Sequence, residues 1–378
     1  MPIATRRLDS LDVFRGLTVA GMLLVNNPGT WSAIYPPLAH APWHGWTPTD
    51  LIFPFFLFIV GVTTHLSLSA RRARGDDDAA LVRQIVRRGA VIILCGLLLA
   101  SFPWFPLTRI TEMRFPGVLQ RIGLAYMCGA LLTLRTSWRQ QAGILAVLLF
   151  GYWVLMTRVP VPGYGLGPHL LDDPSASLAA WLDRAVFGPH LWRASKTWDP
   201  EGLLSTLPAI GTVIAGVLAG RWLGSARPLD ARLVGLFGAG SLAMVAGLMW
   251  HWVFPINKNL WTSSYVVFTG GMAMVTLAAC TWLIDVLGIT KWTPPFRWFG
   301  MNPIFAFLGT GAMARLMGSV ITVSRDGEAV PIQRVIYDQL FASWLDPRNA
   351  SLLYAITFVL LWAGICGLLY HKRLFFKV

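Results

Sequence analysis

An all-α polytopic membrane protein, a bundle of about ten transmembrane helices with both termini cytoplasmic, is the fold class this sequence predicts. Three observations carry the prediction. Of 378 residues, 55% are hydrophobic and only 13% charged, against about 25% charged in an ordinary soluble domain. Apolar runs recur along the whole chain, broken by Arg-rich or Pro/Gly-rich connections. Eighteen tryptophans and 21 phenylalanines suit a chain that repeatedly crosses a headgroup layer, where aromatic rings are favoured.

Taken in order, the expected spans are 11–27, 51–70, 90–106, 115–134, 142–157, 203–220, 233–250, 262–286, 298–317 and 351–371. Several fall short of the ~20 residues that a bilayer core needs, so their ends extend into flanking aromatic residues. Alternate connections set the orientation. The amino-terminal tail, "RRARGDDDAALVRQIVRR" (71–88), "RTSWRQ" (135–140), "RWLGSARPLDAR" (221–232), 287–297 and "HKRLFFKV" (371–378) hold most of the Lys and Arg. The positive-inside bias places that set in the cytoplasm. Residues 28–50, without a single Lys or Arg, then face outside. Arg6 and Arg7 precede an apolar run, but Asp12 and Arg15 interrupt its start and "LLVNNPG" offers no small-x-small cleavage site, so the first span is expected to stay attached.

The chain reads as one transmembrane domain, 1–378. Residues 158–202, rich in Pro, Gly and Asp, are too irregular for hydrocarbon and are expected to form an extracytoplasmic loop or cap. No internal repeat of the inverted-transporter kind is evident. The formal charge of +13 is scattered between spans and forms no single basic face, which argues against nucleic acid. Cys95, Cys128, Cys280 and Cys366 stand far apart in apolar stretches without metal-ligand spacing, so they read as packing residues and no metal site is expected.

The densest acid–base chemistry lies in "YPPLAHAPWHGWTPTDLIFPFFLFIVG" (35–61). His40, His44 and Asp50 precede the second span, and an imidazole can take and return a proton near neutral pH. Spacing does not separate His40 from His44. Asn26 and Asn27 close the first span ahead of Pro28 and Gly29, a helix-end signature whose amides also face the outer side. Arg121, inside an apolar span, needs a polar cavity or an anionic partner, and Asp50 and Glu112 are the candidates. Asp12 and Arg15 fall three apart on one helical face. "WHWVFPINKNLWTSSY" (250–265) sets Asn257, Lys258 and Asn259 between tryptophans including Trp261, a composition that suits a sugar. Asp199 and Glu201 in "TWDPEGLLSTLP", and Asn302 in "FGMNPIFAFLG", bring further polar groups to span ends.

Together "LDVFRG", "HAPWHGWTPTDLIFPFFLFIVG", "PGVLQRIGLAY", "DPEGLLSTL", "INKNLW" and "GMNPI", in that order from about residue 8 to 310, resemble the heparan-alpha-glucosaminide N-acetyltransferase family. The resemblance implies transfer of an acetyl group from cytosolic acetyl-CoA, a cosubstrate and not a permanently bound cofactor, to the amine of a glucosamine-type sugar on the far side. It places the active histidine on His40, with His44 where relatives carry asparagine. The asparagine ending the first span falls on Asn26, with Asn27 as competitor, and the aspartate before the second span on Asp50. Acceptor contacts are expected from His44, Arg121, Glu112, Asn257, Lys258, Asn259, Trp261, Asp199 and Glu201 and donor contacts from Arg15 and Asn302, and the resemblance implies a homodimer. The compact chain looks like a bacterial relative in the inner membrane, acting on free or cell-wall-derived amino sugar. Two alternatives use the same residues: a two-step route through acetyl-His40, and a sugar or lipid-precursor transporter that acetylates nothing.

Overall fold

The computed structural model describes residues 8–105, 111–325 and 327–376. In chain order the helices are α1 (Asp9–Asn26), α2 (Ile52–Ala73), α3 (Asp78–Ser101), α4 (Val118–Arg135), α5 (Trp138–Arg158) and the short α6 (Leu178–Phe187). Next come α7 (Thr206–Leu223), α8 (Leu229–His251), α9 (Ser263–Thr281), α10 (Pro294–Met301) and α11 (Pro303–Arg315). The short α12 (Ile332–Tyr337) and the long α13 (Pro347–His371) complete the set. A π-helical turn prolongs α9 over Trp282–Val286 and α11 over Leu316–Val320. One antiparallel hairpin, β1 (Thr322–Arg325) and β2 (Glu328–Pro331), lies between α11 and α12.

Eight of these helices are long and apolar enough to cross a membrane. The two other expected spans are α1 and α4, of 18 residues each, and they carry charge into the bundle: Asp12 is 7% exposed and Arg121 1%. Each of the ten expected spans therefore overlaps a helix, eight of which are long and apolar enough to cross a membrane. Helix starts follow local chemistry. The Asp77 carboxylate caps α3 through Ala80 N, Ser137 and Gln140 form a reciprocal capping box at α5, and Asp346 caps α13 ahead of Pro347. These side chains satisfy N–H groups that have no partner within the helix.

One boundary differs from expectation. The third helix begins at Asp78, not near residue 90, so most of "RRARGDDDAALVRQIVRR" is helical and only a tight turn at Arg74–Asp77 separates α2 from α3. Arg83, Arg87 and Arg88 are exposed there, and arginine is a good helix former. The run of charge did not mark the helix end.

The core is built by close helix contact. A Cβ on Gly61 of α2 would meet Val213 O at 2.0 Å, and one on Gly216 of α7 would meet Phe58 O at 2.0 Å, so these helices touch backbone to backbone, as small residues permit in membranes. Around that seam pack Leu57, Phe58, Ile59, Val213 and Val217, all fully buried. By contrast α8 leaves Val234, Leu242 and Val245 exposed, which is the face a lipid environment covers. Residues 158–202 hold a short bridge at Val161 and Gly165, the turn Pro168–Leu171 and α6.

Candidate active site

The turn entering α2 builds the site. Thr47 and Asp50 form a capping box around Pro48–Leu51, and the same carboxylate reaches back to the histidine loop. Asp50 Oδ1 lies 2.5 Å from His40 Nδ1. Asp50 Oδ2 accepts from Ala41 N (3.0 Å) and Thr47 N (2.9 Å), and lies 3.2 Å from Thr47 Oγ1. A carboxylate with both oxygens engaged is an acceptor only, so Nδ1 carries the ring proton and Nε2 presents its lone pair. Asp50 is 2% exposed, whereas the His40 side chain is 45% exposed. The dyad thus has a buried orienting acid and an accessible base. The Tyr265 hydroxyl donates to Asp50 O from beneath.

The structure separates the two histidines that spacing left equal. His44 Nε2 sits 3.0 Å from Asp172 Oδ1, and its Nδ1 accepts from Asn257 Nδ2 at 3.3 Å, so both ring nitrogens are engaged. The asparagines separate as well. Asn27 Nδ2 donates to Leu23 O at 2.8 Å and closes α1, while Asn26 is exposed at the helix end. Asn26 makes no side-chain hydrogen bond among the described residues.

Arg121 is paired with neither Asp50 nor Glu112, contrary to expectation. Asp50 is engaged by His40, and Glu112 lies at the surface 3.3 Å from Arg193. Nor does Arg121 snorkel: at 1% exposure it donates to Gly202 O (3.1 Å) and Ser205 Oγ, and its guanidinium carbon lies 5.1 Å from the Trp261 ring centre. Its start-of-helix position points it into the bundle under residues 199–206 and not outward to water.

Asp199 and Glu201 are both held by Arg114, which bonds Asp199 with two nitrogens and reaches Glu201 Oε2 at 2.5 Å. Asp199 also accepts from Trp192 N and Glu201 N. Burial pushes the Glu201 carboxyl up, and the charges of Arg114, Lys258 and Arg121 more than offset this, so it stays below its usual range. Asn257 braces its own loop, accepting from Leu260 N at 2.9 Å. Lys258 and Asn259 are half-buried beside it. Trp261 is fully buried, with Nε1 donating to Thr212 Oγ1 at 3.1 Å.

A cavity of about 170 Å³ lies within the bundle, lined from α1 by Arg15, Val19 and Met22 and from the other walls by Phe56, Thr64, Arg88, Ile122, Tyr126 and Ile304 among others. Arg15, Val19 and Met22 are one helical stripe, and Asn26 is its next member. At 1.5 Å per residue, Met22 is about 6 Å along the axis from Asn26. Arg15 bonds Gly300 O at 3.0 Å and lies 3.4 Å from Asp12, the pairing its spacing predicted. Asn302 stands outside the wall of this cavity among the described residues: its amide donates to Leu374 O (3.2 Å) and accepts from Phe376 N (2.9 Å). It straps the carboxy-terminal segment to the α10–α11 break.

Several residues escaped the sequence reading. Arg114 and Asp172 act only through partners distant in sequence. Asp183, 1% exposed, accepts from Leu203 N at 2.8 Å, and burial pushes its carboxyl up to about 7. Thr47 carried a readable signal, the T-x-x-D capping pattern.

A polytopic helical membrane protein with an oriented histidine at one face and a cation-lined cavity behind it is the class these features define. The chain belongs to the heparan-alpha-glucosaminide N-acetyltransferase family: the model for that family's catalytic region matches residues 7–233. Curated relatives named heparan-alpha-glucosaminide N-acetyltransferase include one from Mus musculus, 28% identical over 99% of this chain and 61% of the relative. Another, from Homo sapiens, is 29% identical over 98% of this chain and 60% of the relative. The chain spans about three fifths of the length of these proteins.

Proposed function

We propose that this protein transfers an acetyl group from acetyl-CoA, drawn from the basic, cytosolic side, to the amine of a glucosamine-type sugar on the face that carries His40. The observation that supports it most directly is the Asp50–His40 pair with its free Nε2. Orientation follows the distribution of Lys and Arg, and the setting is a cytoplasmic membrane, in bacteria the inner one.

The donor's acyl arm occupies the α1–α4 cavity, with its phosphates toward Arg15 and Arg88, since arginine matches phosphate oxygens. The cavity's stripe on α1 ends at Asn26, whose amide donates to the thioester oxygen as negative charge grows on it. The sugar nitrogen attacks the thioester carbon; the C–N bond forms and the C–S bond breaks. His40 Nε2 takes the proton from nitrogen and passes it to the departing CoA sulfur, which leaves as the thiol and returns the imidazole to its neutral form. Asp50 keeps the ring in the right tautomer and stabilises the imidazolium. Reaction in one complex requires the two substrates to meet in the outer half of the bundle.

The test uses proteoliposomes supplied with radiolabelled acetyl-CoA on the basic side and glucosamine on the other. Labelled N-acetylglucosamine is expected from the wild type and none from His40→Ala, which still binds CoA. Near-normal turnover by His40→Ala removes the assignment. Movement of unmodified sugar in place of acetylation identifies a carrier, and label trapped on His40 without acceptor identifies the two-step route.

A further inference from the structure

His40 has little packing to fix it: 45% of its side chain is exposed, so its direction depends on the bonds that hold it. The Asp50 carboxylate supplies two of these, one to the ring and one to the Ala41 N–H on the carboxy-terminal side. A third holds the amino-terminal side. Ala39 is extended, with φ −90° and ψ 151°, and its carbonyl lies 2.6 Å from the Thr47 hydroxyl. Two residues further back, Pro37 O accepts from the Thr49 hydroxyl at 3.1 Å. The loop that carries the base is thus hung on the turn Pro48–Leu51 from both sides of His40.

Thr47 has one hydroxyl proton to give. It goes to Ala39 O, the closer acceptor, because Asp50 Oδ2 is 3.2 Å away and already accepts from Ala41 N and Thr47 N. Thr47 therefore has two separate duties. Its backbone N–H holds the acid, which any residue but proline could do. Its side chain holds the segment of the base, which needs a hydroxyl.

We infer that Thr47 is a positioning residue for the base: its hydroxyl fixes the backbone at Ala39, and through it the direction in which His40 Nε2 meets the amine. This rests on the acetyltransfer reading and adds a residue to it. With the Ala39 carbonyl released, the His40 backbone can rock about the bond from Nδ1 to Asp50. Nε2, on the far side of the ring, then leaves the line of proton transfer, and rate is sensitive to such misplacement.

Thr47→Val removes the hydroxyl and keeps the shape and the N–H, whereas Thr47→Ser keeps the hydroxyl. Both are assayed as full-length protein in nanodiscs with acetyl-CoA and glucosamine, beside Asp50→Asn and the variant carrying Thr47→Val and Asp50→Asn together. For Thr47→Val, kcat is expected to fall about 3- to 12-fold, the rate equivalent of one neutral hydrogen bond, with the KM for acetyl-CoA within about twofold of wild type. Thr47→Ser is expected to keep at least half of kcat. In the double variant the loss is expected to be smaller than the product of the two single losses, because both act on one ring. Thr47→Ala, compared with Thr47→Ser, carries the test if the valine variant fails to fold. A fall of less than about threefold in Thr47→Val, or a serine variant as slow as the valine one, overturns the inference and leaves acetyltransfer intact. Losses that multiply in the double variant reduce Thr47 to a support of the turn and also overturn it. A wild type that acetylates no glucosamine overturns both readings.

Discussion

Replacing Asp50 by asparagine converts the acceptor that orients His40 into a donor. The two backbone donors on Oδ2, Ala41 N at 3.0 Å and Thr47 N at 2.9 Å, hold the asparagine carbonyl in that place, because leaving buried N–H groups unpaired costs about 1–3 kcal/mol each. The amide nitrogen then faces His40 Nδ1 and donates to it. The ring proton moves to Nε2, the atom that has to receive the proton from the amine. Restoring the productive tautomer forfeits at least the charge-assisted bond, about 1.5–3 kcal/mol, which at 1.36 kcal/mol per decade lowers kcat about 10- to 150-fold. The assay is the initial rate of labelled acetyl transfer by purified variant in nanodiscs, with thermal unfolding as the control for folding. A folded Asp50→Asn protein with kcat within threefold of wild type would refute the orientation argument.

Four further outcomes follow from the same geometry. His44→Ala is expected to keep most of kcat, losing hydrogen bonds to Asp172 and Asn257 worth about 0.5–1.5 kcal/mol each, which parallel rate and melting measurements on His40→Ala and His44→Ala will separate. Arg114→Ala leaves Asp199 and Glu201 buried without their cation and is expected to cost about 3–5 kcal/mol, visible as a large drop in melting temperature. Gly61→Ala forces a Cβ to within 2.0 Å of Val213 O, and the overpacked α2–α7 seam is expected to lose about 1–3 kcal/mol; an unchanged melting point contradicts the backbone contact. Burial raises the folded Asp183 carboxyl to about 7 from an ordinary 3.8, so the folded state holds this proton more tightly than the unfolded chain. Its contribution to stability is complete below pH 3.8 and is lost as pH rises to about 7, and Asp183→Asn is expected to flatten that part of a melting-temperature profile.

What was readable from residues alone is instructive in detail. Each expected span overlapped a helix, because hydrocarbon selects runs of apolar residues that any local window detects. The start of α3 escaped, since Arg83, Arg87 and Arg88 are compatible with helix and a run of charge does not mark the helix edge. His40, His44 and Asp50 were visible as candidates because they fall within eleven residues, but the pairing of Asp50 with His40 and not with Arg121 came from the fold. Arg121 was visible as an anomaly, but its partners, Gly202 and Ser205, are 81 and 84 residues away. Asn302 stood in a recognisable motif, yet its amide is taken by backbone 72 and 74 residues further on.

By itself, the sequence determined the helical membrane architecture, the order of its spans and the short stretch holding an acid–base pair. Those follow from solvent partition and from hydrogen bonds a few residues long. Tertiary structure decided which histidine keeps a free nitrogen, which asparagine keeps a free amide, which carboxylates Arg114 neutralises and where the donor cavity lies. Each of these depends on a partner brought from a distant helix or loop, and a hydrogen bond of about 3 Å is a property of packing that no local pattern encodes.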